Sequence, residues 1–341
     1  MIKIDTPVIG ITMGDPSGIG PEIILKSFLN PGIRNCKLIV IGDYDVMMAA
    51  YGSLGIESYK LIRVQKVSDC TFNSKGLNIL DINLIDIDAL QPGKVQAASG
   101  NAAFECIKKA VELAMNNDIK TIVTAPLNKE ALQLAGHKYP GHTEILAGLT
   151  GAKDYAMLLY DKKFSVIHVS THVSMLKAIT GLRRERIERV ITLAHDTMKI
   201  LCGDIPGIAV AGINPHAGEN GLFGNEEIDT IIPAVKNMKA KGINVEGPVS
   251  PDTVFLKAVE KKYNVVVAMY HDQGHIPIKL LGFHSGVNIS VGLPIIRTSV
   301  DHGTAFEIAW QGKACEDSMV EAIKLSIRLA GNSKSRKPGL I

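Results

Sequence analysis

At 341 residues the chain exceeds what one hydrophobic core usually serves, so two domains are expected. Apolar residues make up 46% and charged residues 21%, as in ordinary globular proteins, and a net charge of +3, from 37 basic against 34 acidic residues, gives no argument for nucleic acid. The one basic cluster, Arg183, Arg184, Arg186 and Arg189, reads as a solvated helix face in preference to a phosphate track. Five scattered cysteines without a C-x-x-C, a start MIKIDTPVIGITMGD without a signal-peptide pattern, and no apolar run of spanning length lead to the expectation of a cytoplasmic protein with reduced thiols and no membrane partner.

The first predicted strand, residues 8–13, runs into GDPSGIGPE, and a helix is expected from Pro21, where proline suits the first turn. The glycines of this stretch fit a tight turn after a strand, but it is neither G-x-G-x-x-G nor G-x-x-x-x-G-K-[ST]. A standard dinucleotide fingerprint or P-loop is therefore not supported. Strands are expected at 37–41 and within 77–87. Ser99 is expected to cap a helix reaching residue 117, whose apolar positions recur at helical spacing. A strand at 121–124 ends in APLNK. His142 and Thr143 then stand near the start of a short helix, as an anion site or merely as its cap. Residues 155–170 alternate like a hairpin turning near Asp161 and deliver Thr171-His172. An amphipathic helix over 183–201, a strand over 208–213 that delivers Asn214-Pro215-His216, and a helix over 226–241 follow. Gly247-Pro248 reads as a breaker ahead of Pro251-Asp252-Thr253, and the tail 334–338 is expected to fray. Strand followed by polar loop recurs along the chain, as in a doubly wound α/β fold.

The densest chemistry lies in residues 270–307. A β-branched run, 265–270, reads as a buried strand, and directly past it come His271, Asp272 and Gly274, then Lys279, Asn288, Arg297, Asp301 and His302. Ligands of open α/β sheets sit at such strand ends. Lys279 and Arg297 could hold an anion; His271 and Asp272 could hold a metal or move a proton. The competing reading is a loop of satisfied polar residues. Three histidines, His172, His216 and His271, end or closely follow three separate strands beside Asp252 and Asp272, which suits a divalent metal with an open coordination position. His275 is four residues from His271, but Gly274 and Pro277 argue against a helix there, so His275 is not assigned as a ligand.

The stretches ITMGDPSGIGPE, TAPLNKEAL, YPGHTE, GINPHAGENG, GPVSPDTVF, MYHDQG and GVNISVGLPIIRTSVDHGTA, in this order, resemble the 4-hydroxythreonine-4-phosphate dehydrogenase family over nearly the whole chain. The resemblance implies a two-domain α/β fold like isocitrate and isopropylmalate dehydrogenases, with parallel or mixed sheets flanked by helices. The domains would be residues 1–135 plus 295–341, and 136–294, the second carrying most metal and substrate residues and a dimer interface. It further implies a homodimer with shared active sites, NAD or NADP bound without the usual fingerprint, and one divalent metal ion per site (Zn, Mg, Mn or Co). By motif, the metal ligands would be His172, His216 and His271, the last from the other subunit. His142, Thr143, Lys279, Asn288 and Arg297 would hold the substrate's phosphate and carboxylate, with Asp252, Asp272 and Lys279 in catalytic or near-metal positions. The implied chemistry is oxidation of a hydroxyl at carbon 3, followed by decarboxylation.

One departure bears on substrate. After HDQG the chain reads His275-Ile276-Pro277-Ile278-Lys279, where vitamin B6 biosynthetic members have a Leu-Pro pattern. This version resembles a branch acting on D-threonate or D-erythronate 4-phosphate, which carry a hydroxyl at carbon 2 and yield dihydroxyacetone phosphate. His275 is therefore the specificity candidate. The alternatives are 4-phosphohydroxy-L-threonine as substrate, a non-catalytic phospho-ligand binder, or a metal-dependent hydrolase or acyltransferase.

Overall fold

The computed structural model describes residues 6–282 and 286–332; the expectation for the tail 334–338 and the first five residues of the N-terminal stretch lie outside them. Twelve strands occur among the described residues: β1 (Val8–Thr12), β2 (Lys37–Gly42), β3 (Lys60–Val64), β4 (Gly76–Asp81), β5 (Thr121–Thr124), β6 (Ala156–Tyr160), β7 (Ser165–His168), β8 (Ile208–Ala211), β9 (Val245–Val249), β10 (Val265–Ala268), β11 (Val287–Val291) and β12 (Ile296–Val300). The chain divides into two compact units at Lys153/Asp154 and Gly292/Leu293, where the sequence suggests 135/136 and 294/295. The helix His142–Thr150, with His142 and Thr143, thus falls in the first unit.

In the first unit the strand order is β3-β4-β2-β1-β5-β12, parallel throughout. Near-continuous apolar strands such as β2 are what burial on both faces demands. The order reverses between β1 and β5, and the loops leaving these two strands, GDPSGIG and APLNK, meet there. Asp15 N–H donates to the Pro126 carbonyl at 2.9 Å, and a Cβ on Gly14, at φ 75°, would stand 2.3 Å from that oxygen. Only glycine fits such a left-handed, closely approached position.

In the second unit the order is β11-β6-β7-β10-β8-β9. β11, β6 and β7 run antiparallel in turn, and β7, β10, β8 and β9 are parallel. The hairpin expected over 155–170 is β6 and β7. A buried core of Leu159, Phe164, Val166, Val254 and Val266 lies on one face of this sheet. The helix Arg184–Cys202 buries Ile187, Val190, Ile191 and Ala194 at helical spacing and ends at Gly203 in the left-handed conformation.

Four local expectations are corrected. The helix Ala97–Met115 begins before Ser99, which is buried and shares a 2.8 Å hydrogen bond with the Ser17 hydroxyl instead of capping. Gly247 and Pro248 lie inside β9, a terminal strand of the order, where a missing N–H costs no ladder bond on the open side. A single helix over 226–241 is replaced by a π turn, Glu227–Ile231, followed by the helix Ile232–Ala240. The fourth correction concerns residues 271–282, which are helical despite Gly274 and Pro277. No helix among the described residues is long and apolar enough to cross a membrane.

Candidate active site

Because β7, β10, β8 and β9 are parallel neighbours, their carboxyl ends fall along one edge of the second unit's sheet. His172 follows β7, His271 follows β10, His216 follows β8 and Asp252 follows β9. The three histidines are far apart in sequence; parallel pairing alone puts them on one edge. Gln273 ties two of these ends together. Its Oε1 accepts from the Met269 N–H and its Nε2 donates to the Gly212 carbonyl, both at 2.7 Å.

His271 opens the helix His271–Gly282, which tolerates Pro277 because one interior proline removes one N–H while the flanking turns pack on β7 and β10. His271 Nδ1 lies 2.6 Å from Asp272 Oδ1. The carboxylate accepts, so Nδ1 carries the proton and Nε2 presents its lone pair, the arrangement usual for a metal-ligating histidine. The His172 ring stands 5.9 Å from that of His271. His275, one helical turn on, stacks on His271 at 3.7 Å and 11°.

His216 sits in an unusual segment. His216, Ala217, Gly218, Glu219 and Asn220 all have positive φ, a left-handed turn that costs non-glycine residues about 1–2 kcal/mol each. Glu227, 1% exposed, holds the base of this turn. Its Oε1 accepts from the N–H groups of Ile213 (2.7 Å) and Asn214 (2.8 Å), and its Oε2 accepts from Asn214 Nδ2 at 2.8 Å. Asp252 lies in the first turn of the helix Pro251–Val259, within electrostatic reach of His216, and the Ser250 hydroxyl above all holds its carboxyl below the usual range. In β11 the Asn288 Oδ1 is enclosed and has no hydrogen-bond partner among the described residues. Lys279 lies two turns after His271 on the same helix.

In the first unit Arg297, in β12, is buried and directs Nε and one terminal nitrogen at the Thr124 hydroxyl, at 3.1 and 2.6 Å. Burial lowers its pKa to about 9 against the attraction of Glu144, so it stays charged at neutral pH. His142 begins the helix His142–Thr150, with Thr143 beside it. Burial, then Arg297 and Lys129, push the His142 pKa well below the ordinary value, so the ring is neutral. It bonds the Ala125 backbone, whose N–H is already given to the Thr12 carbonyl, so the Ala125 carbonyl is the acceptor and the ring the donor. The enclosed Nε2, without a protein partner, is then itself an acceptor suited to a hydroxyl. Of Arg297 and His142, Arg297 is thus the one that carries positive charge.

Asp15, His168, Gln273 and Glu227 were not singled out by sequence reasoning. Asp15 is fully buried after β1, its Oδ1 accepts from the Ser17 N–H at 2.8 Å, the Asn128 N–H also faces the carboxylate, and burial, outweighing both, pushes its pKa up to about 6. A histidine closing the apolar run of β7 was the available signal for His168.

The donor chemistry of three imidazoles with neighbouring carboxylates suits a divalent cation. In one chain it comes in separate groups, His172 with His271 and His216 with Asp252, and no three such donors among the described residues stand close enough to share an ion.

A family model described as pyridoxal phosphate biosynthetic protein PdxA matches residues 34–326. The chain is 54% identical to the D-threonate 4-phosphate dehydrogenase of Pectobacterium atrosepticum over 323 residues, 95% of this chain and 99% of that protein. It is 52% identical to the D-threonate 4-phosphate dehydrogenase of Salmonella typhimurium over 327 residues, 96% of this chain and all of that one (100%). The solved 4-hydroxythreonine-4-phosphate dehydrogenase of Klebsiella pneumoniae superposes with a TM-score of 0.88 at 50% identity, covering 96% of this chain and 99% of that chain. Fold and relatives together define an α/β oxidoreductase, a dehydrogenase acting on a CH–OH group. The chain belongs to the family of pyridoxal phosphate biosynthetic protein PdxA.

Proposed function

We propose that this dehydrogenase oxidises D-threonate or D-erythronate 4-phosphate at carbon 3 with NAD or NADP, and that the resulting β-keto acid loses carbon dioxide to give dihydroxyacetone phosphate. The observation that carries the reading is the shared strand edge of His172, His216, His271 and Asp252 in a chain about half identical to D-threonate 4-phosphate dehydrogenases. NAD or NADP, when bound, would supply the acceptor for the C3 hydrogen as hydride while the C3 hydroxyl gives up its proton. As carbon dioxide leaves, the C1–C2 electron pair stays on the substrate as an enolate, which takes a proton at carbon 2 to give dihydroxyacetone phosphate. A divalent metal at His172, His216 and His271 of the partner subunit would polarise the C3 oxygen and stabilise that enolate.

Arg297 and Lys279 neutralise the substrate's phosphate and carboxylate, with Thr143 at a helix N-terminus assisting. Asn288 Oδ1 and His142 Nε2, both enclosed acceptors, each take a hydrogen bond from a substrate hydroxyl. Asp272 keeps His271 oriented through its Nδ1, and Asp252 stands within electrostatic reach of His216. The positive charge of Lys279 reaches His275, and such a charge disfavours an ammonium at carbon 2, where the amino substrate 4-phosphohydroxy-L-threonine has one. That amino acid remains the second reading because the Klebsiella protein carries its name.

A homodimer is supported by large apolar side chains exposed on the second unit, among them Leu176 (70%), Leu222 (72%), Ile276 (58%) and Leu280 (79%). Ile276 and Leu280 share their helix with His271, so a second copy covering them would bring that histidine to an interface.

The test is NADH or NADPH formation, followed by absorbance, over a panel of 4-phosphorylated four-carbon acids. Turnover of the hydroxy acids above that of 4-phosphohydroxy-L-threonine is expected. The reverse preference overturns the substrate assignment, and no nucleotide reduction with any acid returns the binder or hydrolase reading.

A further inference from the structure

His168 and His275 form a two-ring chain whose protons can be placed from the acceptors around it. His168, fully buried at the end of β7, has Nδ1 3.3 Å from the Met157 carbonyl in the neighbouring strand β6. A carbonyl only accepts, so His168 Nδ1 carries a proton. Its Nε2 lies 3.1 Å from His275 Nδ1, and that same His275 nitrogen lies 3.2 Å from the His271 carbonyl. The second carbonyl favours a proton on His275 Nδ1, and the bare Nε2 of His168 is a further acceptor for that same proton. Both acceptors agree. In the neutral form, the ordinary state of an imidazole above about pH 7, each ring carries one ring proton. The remaining nitrogen, His275 Nε2, is left with its lone pair.

This contact is built by the sequence HDQGH. A Cβ on Gly274 would stand 2.5 Å from His168 Nε2 and 2.5 Å from Val166 Cγ1, so the helix His271–Gly282 reaches β7 only because residue 274 has no side chain.

The lone pair of His275 does not serve the same ion as that of His271. A ligating imidazole holds its metal in the ring plane, about 2 Å from nitrogen. The two rings are stacked within 11° of parallel at 3.7 Å, and parallel planes share no such point.

We infer that the Met157–His168–His275 chain locks His275 with Nε2 as a permanent hydrogen-bond acceptor for the carbon-2 hydroxyl of the substrate, and that His168 is the positioning residue of this lock. A carboxylate or phosphate oxygen, an acceptor without a proton, cannot occupy the same place. The inference rests on the hydroxy-acid reading for the identity of the donor; the tautomer itself does not.

The test combines nitrogen-15 NMR of the full-length, histidine-labelled protein with kinetics. His275 is expected to be protonated on Nδ1 and bare on Nε2. His168→Leu should populate the other state of His275 and raise KM for D-threonate 4-phosphate by up to about tenfold, one neutral hydrogen bond, with kcat nearly unchanged. His168→Gln, which keeps an acceptor oxygen, should retain the His275 tautomer and most of the affinity. In the double variant with His275→Leu, His168→Leu should add no further loss, since the two act through one atom. A proton on His275 Nε2 in the unsubstituted protein overturns the proposal. So does a folded His168→Leu or His168→Gln protein in which tautomer and KM fail to move together, or additive losses in the double variant. If His168→Leu does not fold, the unsubstituted spectrum and His168→Gln decide. The spectrum needs no substrate, so a wrong substrate assignment and a wrong lock are distinguishable.

Discussion

Asp15 shows how a single buried group makes stability depend on pH. Its carboxyl is sealed after β1, and burial raises its pKa from 3.8 to about 6. A raised acid favours the protonated form in the folded state, so its contribution is fully present below pH 3.8 and is lost as pH rises through about 6. Asp15→Asn keeps an oxygen for the Ser17 N–H and removes the charge. The variant should match the parent below pH 4 and exceed it above pH 6 by about 3 kcal/mol, the free energy that corresponds to a carboxyl about a hundredfold weaker as an acid when folded than when unfolded. Urea midpoints across pH 4–8 check this; a constant offset would mean that the carboxylate is compensated. At Arg297 the buried fork on Thr124 leads to a second expectation. Arg297→Lys should raise KM for a phosphorylated substrate at least about tenfold while the circular dichroism stays unchanged, because lysine cannot reproduce the planar donor set.

Elements here are held in place by polar groups that local propensity would not choose. The left-handed turn 216–220 carries His216 and is anchored through Glu227, itself the first residue of a π turn. Glu227→Ala would leave the N–H groups of Ile213 and Asn214 without their acceptor. A loss of about 3 kcal/mol in chemical denaturation is expected, with faster amide exchange at both positions. Exchange that stays at the parent rate would show that the turn holds itself. The helix His271–Gly282 offers the opposite case, a missing side chain. Gly274→Ala forces a methyl into His168 and Val166 and should cost about 1–3 kcal/mol, read as a shifted denaturation midpoint.

For the whole molecule, the exposed apolar groups on the helix that bears His271 are what the proposal of an active site completed by a second copy rests on. His172→Ala, His216→Ala and His271→Ala should each remove most turnover without loss of fold. Mixing His271→Ala with His172→Ala subunits should restore part of it, because a mixed dimer then holds one site with all three histidines intact. Confirmed mixed dimers that stay inactive would place the ligands within one chain.

The sequence by itself determined the α/β alternation, while several strands stop two or more residues before their expected ends. The strand Thr121–Thr124, the β6–β7 hairpin and the three strand-end histidines were legible because apolar runs, turn residues and motifs are local signals. Where local signals compete, tertiary structure decided. Pro277 reads as a helix breaker until β7 and β10 supply the packing that outweighs one lost hydrogen bond, and Pro248 reads as a break until β9 takes a terminal place in the strand order. Contacts across long separations were invisible. Arg297 meets Thr124 across 173 residues and His275 meets His168 across 107, and no periodicity encodes such a pair. They exist only once strand order makes β12 a neighbour of β5 and packs the His271 helix on β7, which is a property of the folded sheet and not of any stretch of chain.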